Sequence, residues 1–449
     1  MRRLIGLSIV LVVSLAATVS AQQTSMPLPG PAESEPAALG WMQGSPPPPE
    51  RTIRVEDGSF GRFPQLRWSV GHYRELFPTA RISRGSGPVA PLPLAQRADV
   101  AQLTFVPDGQ STPVNWVEAF DGLYADAIVV LHRGRIVFEK YNGVMTPDRP
   151  HILFSITKSL VGTLTETLIA EGRIDEAQPV AHYLPELATS GFGDATVRQL
   201  LDMTTSLDYN EDAPDAGEKM TRFAHAAGLA PLPPGYDGPL TTFDLLKTVK
   251  KVAPHGERFD YQSVDTEVLG LIVAKVTGER IDKALERRIW SQLGAEQDAD
   301  IVLDRVGSPR ATGGMSATAR DLARFGEMIR LNGRYNGRQI VPAGVVAKIR
   351  AGGSRELFGK AIWDYSTRRG FSYKSQWWIT HNANGAFMGI GLHGQALYID
   401  PRAEMVAVRF LSNPSGSTVD YDHITLPAFA ALADHLIRTA PRRYSKSIR

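Results

Sequence analysis

His151-Ile-Leu-Phe-Ser-Ile-Thr-Lys158, continuing as Ser159-Leu-Val-Gly-Thr-Leu164, is the stretch on which the reading of the fold turns. It sets a hydroxyl at Ser155 and an amine at Lys158 three residues apart, at the expected start of a helix. Residues i and i+3 share one helical face, so the two side chains can touch. Serine is a weak nucleophile unless a neighbouring base takes its proton. A free lysine is protonated at neutral pH, so Lys158 can be that base only where burial or nearby positive charge lowers its pKa. A serine at a helix N-terminus also brings an unpaired backbone N–H, suited to a developing oxyanion. Ser-x-x-Lys is short and recurs by chance, so its weight depends on the surrounding chain.

The chain has 449 residues, 43% hydrophobic and 21% charged, enough for a sizeable core. Residues 1–21 read as a secretory signal: Arg2 and Arg3, an apolar run from Leu4 to Ala17, and Val19-Ser-Ala21 as a small-residue cleavage site. The run is short for a membrane span, so the expectation is a cleaved signal near Ala21, no stable membrane insertion, and a periplasmic or secreted protein. The chain has no cysteine, which excludes disulfides, a thiol nucleophile, a Cys-ligated zinc site and a lipidated cysteine. The formal net charge of +2 is matched by the two arginines of the signal, leaving no electrostatic case for nucleic acid or anionic lipid.

Beyond the signal, residues 22–50 are rich in Pro, Ser, Gly and Ala and read as a poorly ordered tether. Residues 51–110 read as an irregular arm, and 111–440 as the main domain. Ala127–His132 and Ile136–Tyr141 around Arg133-Gly134 predict a hairpin, as do Gln395–Asp400 and Met405–Phe410 around Pro401. Helices are expected over 155–171 (closed by Gly172), 196–203, 243–249, 266–276 (ended by Gly278), 317–332 and 427–439. Strands at both ends with helices between predict an α/β (α+β) fold: a mixed, mainly antiparallel sheet flanked by helices, with an all-helical insertion.

Two further segments could carry chemistry. In Gly256-Glu-Arg-Phe-Asp-Tyr261-Gln-Ser263 the tyrosine could relay a proton and Ser263 could orient substrate or lysine. A buried turn tyrosine is the plainer alternative, and Tyr373-Lys-Ser375 repeats the triplet, so spacing alone does not choose. Met388-Gly-Ile-Gly-Leu-His-Gly-Gln395 matches Gly-x-Gly-x-x-Gly, but it leads into a strand rather than a helix, which excludes the dinucleotide reading. Gly389 and Gly391 would let a substrate carbonyl approach the backbone and find a second oxyanion N–H. His393 binds substrate or is a hydrogen-bonded strand histidine. Trp377-Trp378 packs in the core or lines a cleft. No His-Glu-x-x-His and no Gly-x-Ser-x-Gly occurs, so neither a metal site nor an α/β-hydrolase elbow is indicated.

With these segments in place, the chain resembles the serine β-lactamase and penicillin-recognising superfamily. Within it, the branch of class C β-lactamases, family VIII esterases and 6-aminohexanoate-dimer hydrolases is most similar. The likeness runs from about 110 to 440. It is carried by Phe154-Ser-Ile-Thr-Lys-Ser159, Thr196-Val-Arg-Gln-Leu-Leu-Asp-Met-Thr-Thr-Ser-Leu207, Gly256–Ser263, Gly313-Gly-Met-Ser-Ala-Thr-Ala-Arg-Asp-Leu-Ala-Arg-Phe325 and Gly394-Gln-Ala-Leu-Tyr-Ile-Asp-Pro401. Arg67-Trp-Ser-Val-Gly-His-Tyr-Arg-Glu-Leu-Phe-Pro-Thr79 is similar to the N-terminal arm of the nylon-hydrolase-like group. The resemblance implies Ser155 as acylated nucleophile, Lys158 as base and Tyr261 as proton relay, with no cofactor and no metal. Ser263, Gly389, Gly391, His393 and Ser316 are the expected oxyanion and substrate-binding residues.

The chain departs from the family at two places. No Lys-Thr-Gly clamp for a penicillin carboxylate is present, Ala386-Phe-Met388 standing about where it belongs. Ala213 stands where the nylon hydrolases carry a loop tyrosine, which counts against nylon-dimer cleavage. The expected function is therefore an exported serine hydrolase cleaving a small ester or linear amide. The alternatives are a D-amino-acid peptidase or weak β-lactamase, or a catalytically silent ligand-binding protein of the same fold.

Overall fold

The computed structural model describes residues 28–209, 211 and 216–440. The expected signal at 1–21, and Ala213, lie outside these. The run Ala-Asp-Ala-Ile-Val-Val-Leu-His forms strand β1 (Ala125–His132), buried at every position. Arg133 and Gly134, at φ 54° and 75°, reverse the chain into β2 (Arg135–Tyr141). Both central residues at positive φ match the right-handed strand twist, and Gly134 takes that conformation without steric cost.

Helix α1 (Ile156–Ala170) follows, then α2 (Ala216–Ala226), α3 (Ser263–Thr277) and α4 (Ala319–Arg330), which Thr318 caps by accepting the Asp321 N–H. The chain then lays down β3 (Ser372–Lys374), β4 (Trp377–Ile379), β5 (Phe387–Gly391), β6 (Gln395–Asp400) and β7 (Met405–Leu411), and ends in α5 (Asp422–Thr439). The sheet order is β3-β4-β5-β6-β7-β1-β2, and every ladder in it is antiparallel. Among the described residues, the parallel part of the expected mixed, mainly antiparallel sheet is a single bridge of Leu94 to Ile136 at the β2 edge.

Period-two alternation sends the two faces of each strand to different cores. Leu397, Ile399, Val406 and Val408 pack with α1, α3 and α4. Ala396, Tyr398, Met405 and Ala407 pack with α5, where Phe429 stacks on Tyr398 at 4.8 Å. With both faces covered, β1 and β7 read as nearly unbroken apolar runs.

Helix α5 begins five residues before the expected Pro427. A proline inside a helix leaves the carbonyl four residues earlier without its donor. Here that carbonyl, of His423, accepts from the Asp108 N–H at 2.8 Å, so a distant segment makes good the missing bond.

The N-terminal segments are better fixed than expected. From Leu28 onward the tether is a series of turns held to the body. Arg67, buried at 2% exposure, donates to Ser34 Oγ and to Glu35 Oε1, each at 2.9 Å, and the Tyr124 hydroxyl donates to Pro29 O at 3.0 Å. A buried guanidinium demands acceptors, and this stretch supplies them. In the arm, Thr79–Ile82 pairs with Ala299–Val302 in a four-stranded sheet that continues through Met315–Ala317 to His151–Ile152. The arm is thereby tied to the strand leading into Ser155. Among the described residues no helix is long and apolar enough to cross a membrane.

Gln376, at φ 68°, staples the helices beneath the site. Its carbonyl accepts from Ser159 Oγ at 2.8 Å, its Oε1 accepts from Thr266 Oγ1 at 2.8 Å, and its Nε2 donates to Leu200 O at 2.9 Å. Gly162 of α1 lies so close that an added methyl would stand 2.3 Å from Ser375 O. Gly162→Ala is therefore expected to lower stability by about 1–3 kcal/mol, measured by urea denaturation, because rigid backbone must move. An unchanged midpoint would show that the 375–376 turn can retreat.

Candidate active site

Between Ile152, paired with Ser316, and the first turn of α1, the chain turns sharply. Leu153 N–H donates to Met315 O at 2.8 Å, and Phe154 takes φ 45°, a left-handed conformation uncommon outside glycine. Its ring packs edge-on against Tyr73 and tilted against His393, at 6.0 and 5.5 Å, which holds the turn. Non-glycine residues so held concentrate at functional sites. The turn delivers Ser155 to the N-cap of α1.

One helical turn on, Lys158 is 1% exposed. Its Nζ lies 2.8 Å from Ser155 Oγ and donates to Thr312 O at 3.0 Å. Burial pulls its pKa down to about 8; Glu211 and Glu267 oppose this, and the charge of Arg310 assists it. In the neutral form the amine lone pair can accept the Ser155 proton across the same short contact.

Tyr261 covers this pair from the α3 side. Lys158 Nζ is 5.0 Å from its ring centroid, and the ring stacks on Trp378 at 5.6 Å. The competing triplet is placed elsewhere. Tyr373 is buried behind Tyr261, Lys374 pairs with Asp202 at 2.8 Å, and Ser375 Oγ donates to Glu166 Oε1 at 2.5 Å. The tryptophan pair divides its roles: Trp377 is fully buried in the core, while Trp378 backs Tyr261.

Ser155, Lys158, Tyr261 and Ser263 line one cavity of about 180 Å³. Ser263 begins α3, and its backbone N–H donates to Glu211 Oε1. Glu211 and Tyr261 also line an adjoining hollow of about 230 Å³ walled by Trp363, Tyr365 and Trp378.

The remaining expected residues sit differently. A Cβ on Gly389 would stand 2.9 Å from Ser159 Oγ, and one on Gly391 would stand 2.6 Å from Leu153 O. Both glycines therefore face α1 and its entry, letting β5 lie close. The residue at the strand end that lines the cavity is Leu392. His393 stands at φ 60° with Nδ1 2.7 Å from Asn413 O and its ring against Phe154, so it braces the turn from behind. Ser316 is not part of the cavity. It is 3% exposed on a strand between Ile152 and Asp300, beside a separate polar hollow containing Arg74. Gly313, which opens the same motif, and Thr312 just before it reach the site instead, because the motif enters its strand at Met315.

A family model described as Beta-lactamase matches residues 115–431. The chain belongs to the beta-lactamase family. It is 40% identical over 360 residues to a 6-aminohexanoate-dimer hydrolase of Paenarthrobacter ureafaciens, spanning 80% of this chain and 88% of that one. A Bacillus anthracis protein provisionally named a 6-aminohexanoate-dimer hydrolase superposes with a TM-score of 0.79 at 32% identity, covering 88% of this chain and 100% of that one. A family VIII carboxylesterase, at 18% identity and a TM-score of 0.53, covers 72% and 95% of the two chains and shares the fold.

Within the family fold, this member offers no cation on the strand beside the nucleophile. Ala386, Phe387 and Met388 are buried at the start of β5, and Gly389-Ile390-Gly391 completes it. Among the cavity residues that the sequence does not single out as site residues are Tyr73, Tyr209, Glu211, Phe223 and Arg310. The first lies in the arm stretch Arg67–Thr79, whose likeness to the family marks no site residue, and the others lie in or beyond the helical insertion.

Proposed function

We propose that the chain is an exported serine hydrolase that cleaves a small ester or linear amide through an acyl-enzyme. The observation that carries this is the 2.8 Å contact between Ser155 Oγ and the buried Lys158 Nζ. Neutral Lys158 accepts the hydroxyl proton as Ser155 Oγ bonds to the substrate carbonyl carbon. The oxyanion rests on backbone N–H groups of Ser155 and the Leu392 strand end. As the tetrahedral adduct collapses, Tyr261 donates its hydroxyl proton to the leaving group and is reprotonated from Lys158. Water then attacks the acyl carbon, passes a proton back through Lys158, and frees the acid with Ser155 restored.

The 40% identical relative named for the 6-aminohexanoate dimer, two units joined by an amide, supports a linear amide as one substrate type. Export rests on the signal-like residues 1–21. Without a cation on β5, slow turnover of nitrocefin and of D-Ala-D-Ala peptides is expected beside p-nitrophenyl esters.

A fluorophosphonate probe should attach to the peptide containing Ser155, found by mass spectrometry, and do so faster at pH 9 than at pH 7. Labelling at another serine, or none, would overturn the assignment. Tyr261→Phe should lower amide turnover by about 10²–10⁴, the usual range for a lost proton donor, and p-nitrophenyl ester turnover far less. That contrast follows because p-nitrophenolate leaves without protonation. Equal losses on both substrates would point to a packing role for Tyr261.

A further inference from the structure

Arg310 is the cavity's second cation beside Lys158, and the chemistry above gives it no substrate contact. Its backbone is fixed by a 2.9 Å bond from its N–H to Val302 O. Its side chain is 8% exposed and lies with Cζ 5.5 Å from the Phe223 ring centroid. Among the described residues it forms no salt bridge, and its Nε has no hydrogen-bond partner.

The nearby carboxylates among the described residues accept from backbone donors. Glu267 accepts from the Ala311 and Thr312 N–H groups at 3.1 Å each, Glu211 accepts from Ser263, and Asp304 accepts from Val306 and Ser308 at 3.0 and 2.9 Å. A guanidinium does not shed its proton; the charges of Glu267 and Asp304 offset its burial in part, but among the described residues none of them bonds its fork, which leaves its donors open to an anion. The cavity is small, and Glu211 also lines it, which disfavours a phosphate dianion. A single planar guanidinium is matched in shape and charge by one carboxylate.

We propose that Arg310 is the specificity-determining residue of this cavity and receives a carboxylate carried by the substrate, making the substrate class acid-bearing esters or amides. This rests on the Ser155 reading for the cleaved bond, but not for the binding itself.

The test separates the two. In Ser155→Ala protein, calorimetry should find monomethyl glutarate or adipate binding at least about tenfold tighter than the neutral dimethyl ester, the range of one charge-assisted contact. Adding Arg310→Gln should erase that difference. Arg310→Lys, which keeps charge but loses the planar fork, should retain part of it and stands in should the Gln variant fail to fold. Equal binding of acid and diester, or an acid preference that survives Arg310→Gln, overturns the proposal.

With active enzyme, p-nitrophenyl hydrogen glutarate against p-nitrophenyl pentanoate places the acid on the acyl side. The acetates of 4-hydroxybenzoate and 4-hydroxyacetophenone place it on the leaving side. The acid-to-neutral ratio of kcat/KM should fall about tenfold with Arg310→Gln in one series; no fall in either overturns the proposal. Loss of Ser155-dependent turnover with binding intact would sink the hydrolase reading alone.

Discussion

Ser155→Ala is expected to lower kcat/KM on p-nitrophenyl esters by at least about 10⁴, leaving only the residual rate that binding and the oxyanion donors provide. Among the described residues, Ser155 Oγ is the hydroxyl bonded to Lys158 Nζ. Ser263 opens α3 on the Tyr261 side, and Ser159 Oγ is turned away to Gln376 O. The melting temperature should barely move, since the lost group is at the cavity surface and Lys158 keeps its bond to Thr312 O. Activity within tenfold of wild type in carefully purified S155A protein would remove Ser155 from the mechanism.

Lys158→Met should cost about 10²–10⁴ in kcat and change the pH dependence. In wild type, kcat/KM should climb as pH rises through about 8, where the buried amine loses its proton, and level off above. The methionine variant should lack that limb. Stability carries the opposite consequence. The folded pKa of about 8 lies below the ordinary 10.5, so below pH 8 the native state bears the cost of a buried charge. Between those two values the unfolded chain holds a proton that the native state does not, so wild-type stability rises with pH across that window. The cost is on the order of 3 kcal/mol and is relieved by about pH 10.5. Lys158→Met should therefore melt no lower than wild type at pH 7, with its advantage shrinking at higher pH. A variant much less stable at pH 7 would contradict a lysine held against its own preference.

Much of the fold was legible because its signals are local. The Arg133-Gly134 reversal and the helix ends at Gly172 and Gly278 each involve residues a few positions apart. The misses were segments whose form depends on distant partners. Strands β3 and β4 have three residues each, too few for a period to show, and exist because β4 pairs with β5 and β3 in turn with β4. Helix α5 crosses Pro427 because Asp108, more than 300 residues earlier, supplies the missing donor. Residues 28–50 look like a linker by composition, yet the buried Arg67 ties them down.

The site divides in the same way. Sequence alone determined that Ser155 and Lys158 share a helical face, because i,i+3 spacing fixes that wherever the helix lies. It also gave the order of segments that carries the family. Tertiary structure decided which tyrosine faces the amine, since Tyr261 and Tyr373 have the same local spelling and differ in depth beneath Trp378. It decided that Gly389, Gly391 and Ser316 serve packing or another hollow. It also decided that Lys158 can act as a base and that Arg310 has no direct partner among the described residues. Those last two properties are sums of burial and charge over groups far apart in the chain, which adjacency in sequence does not encode.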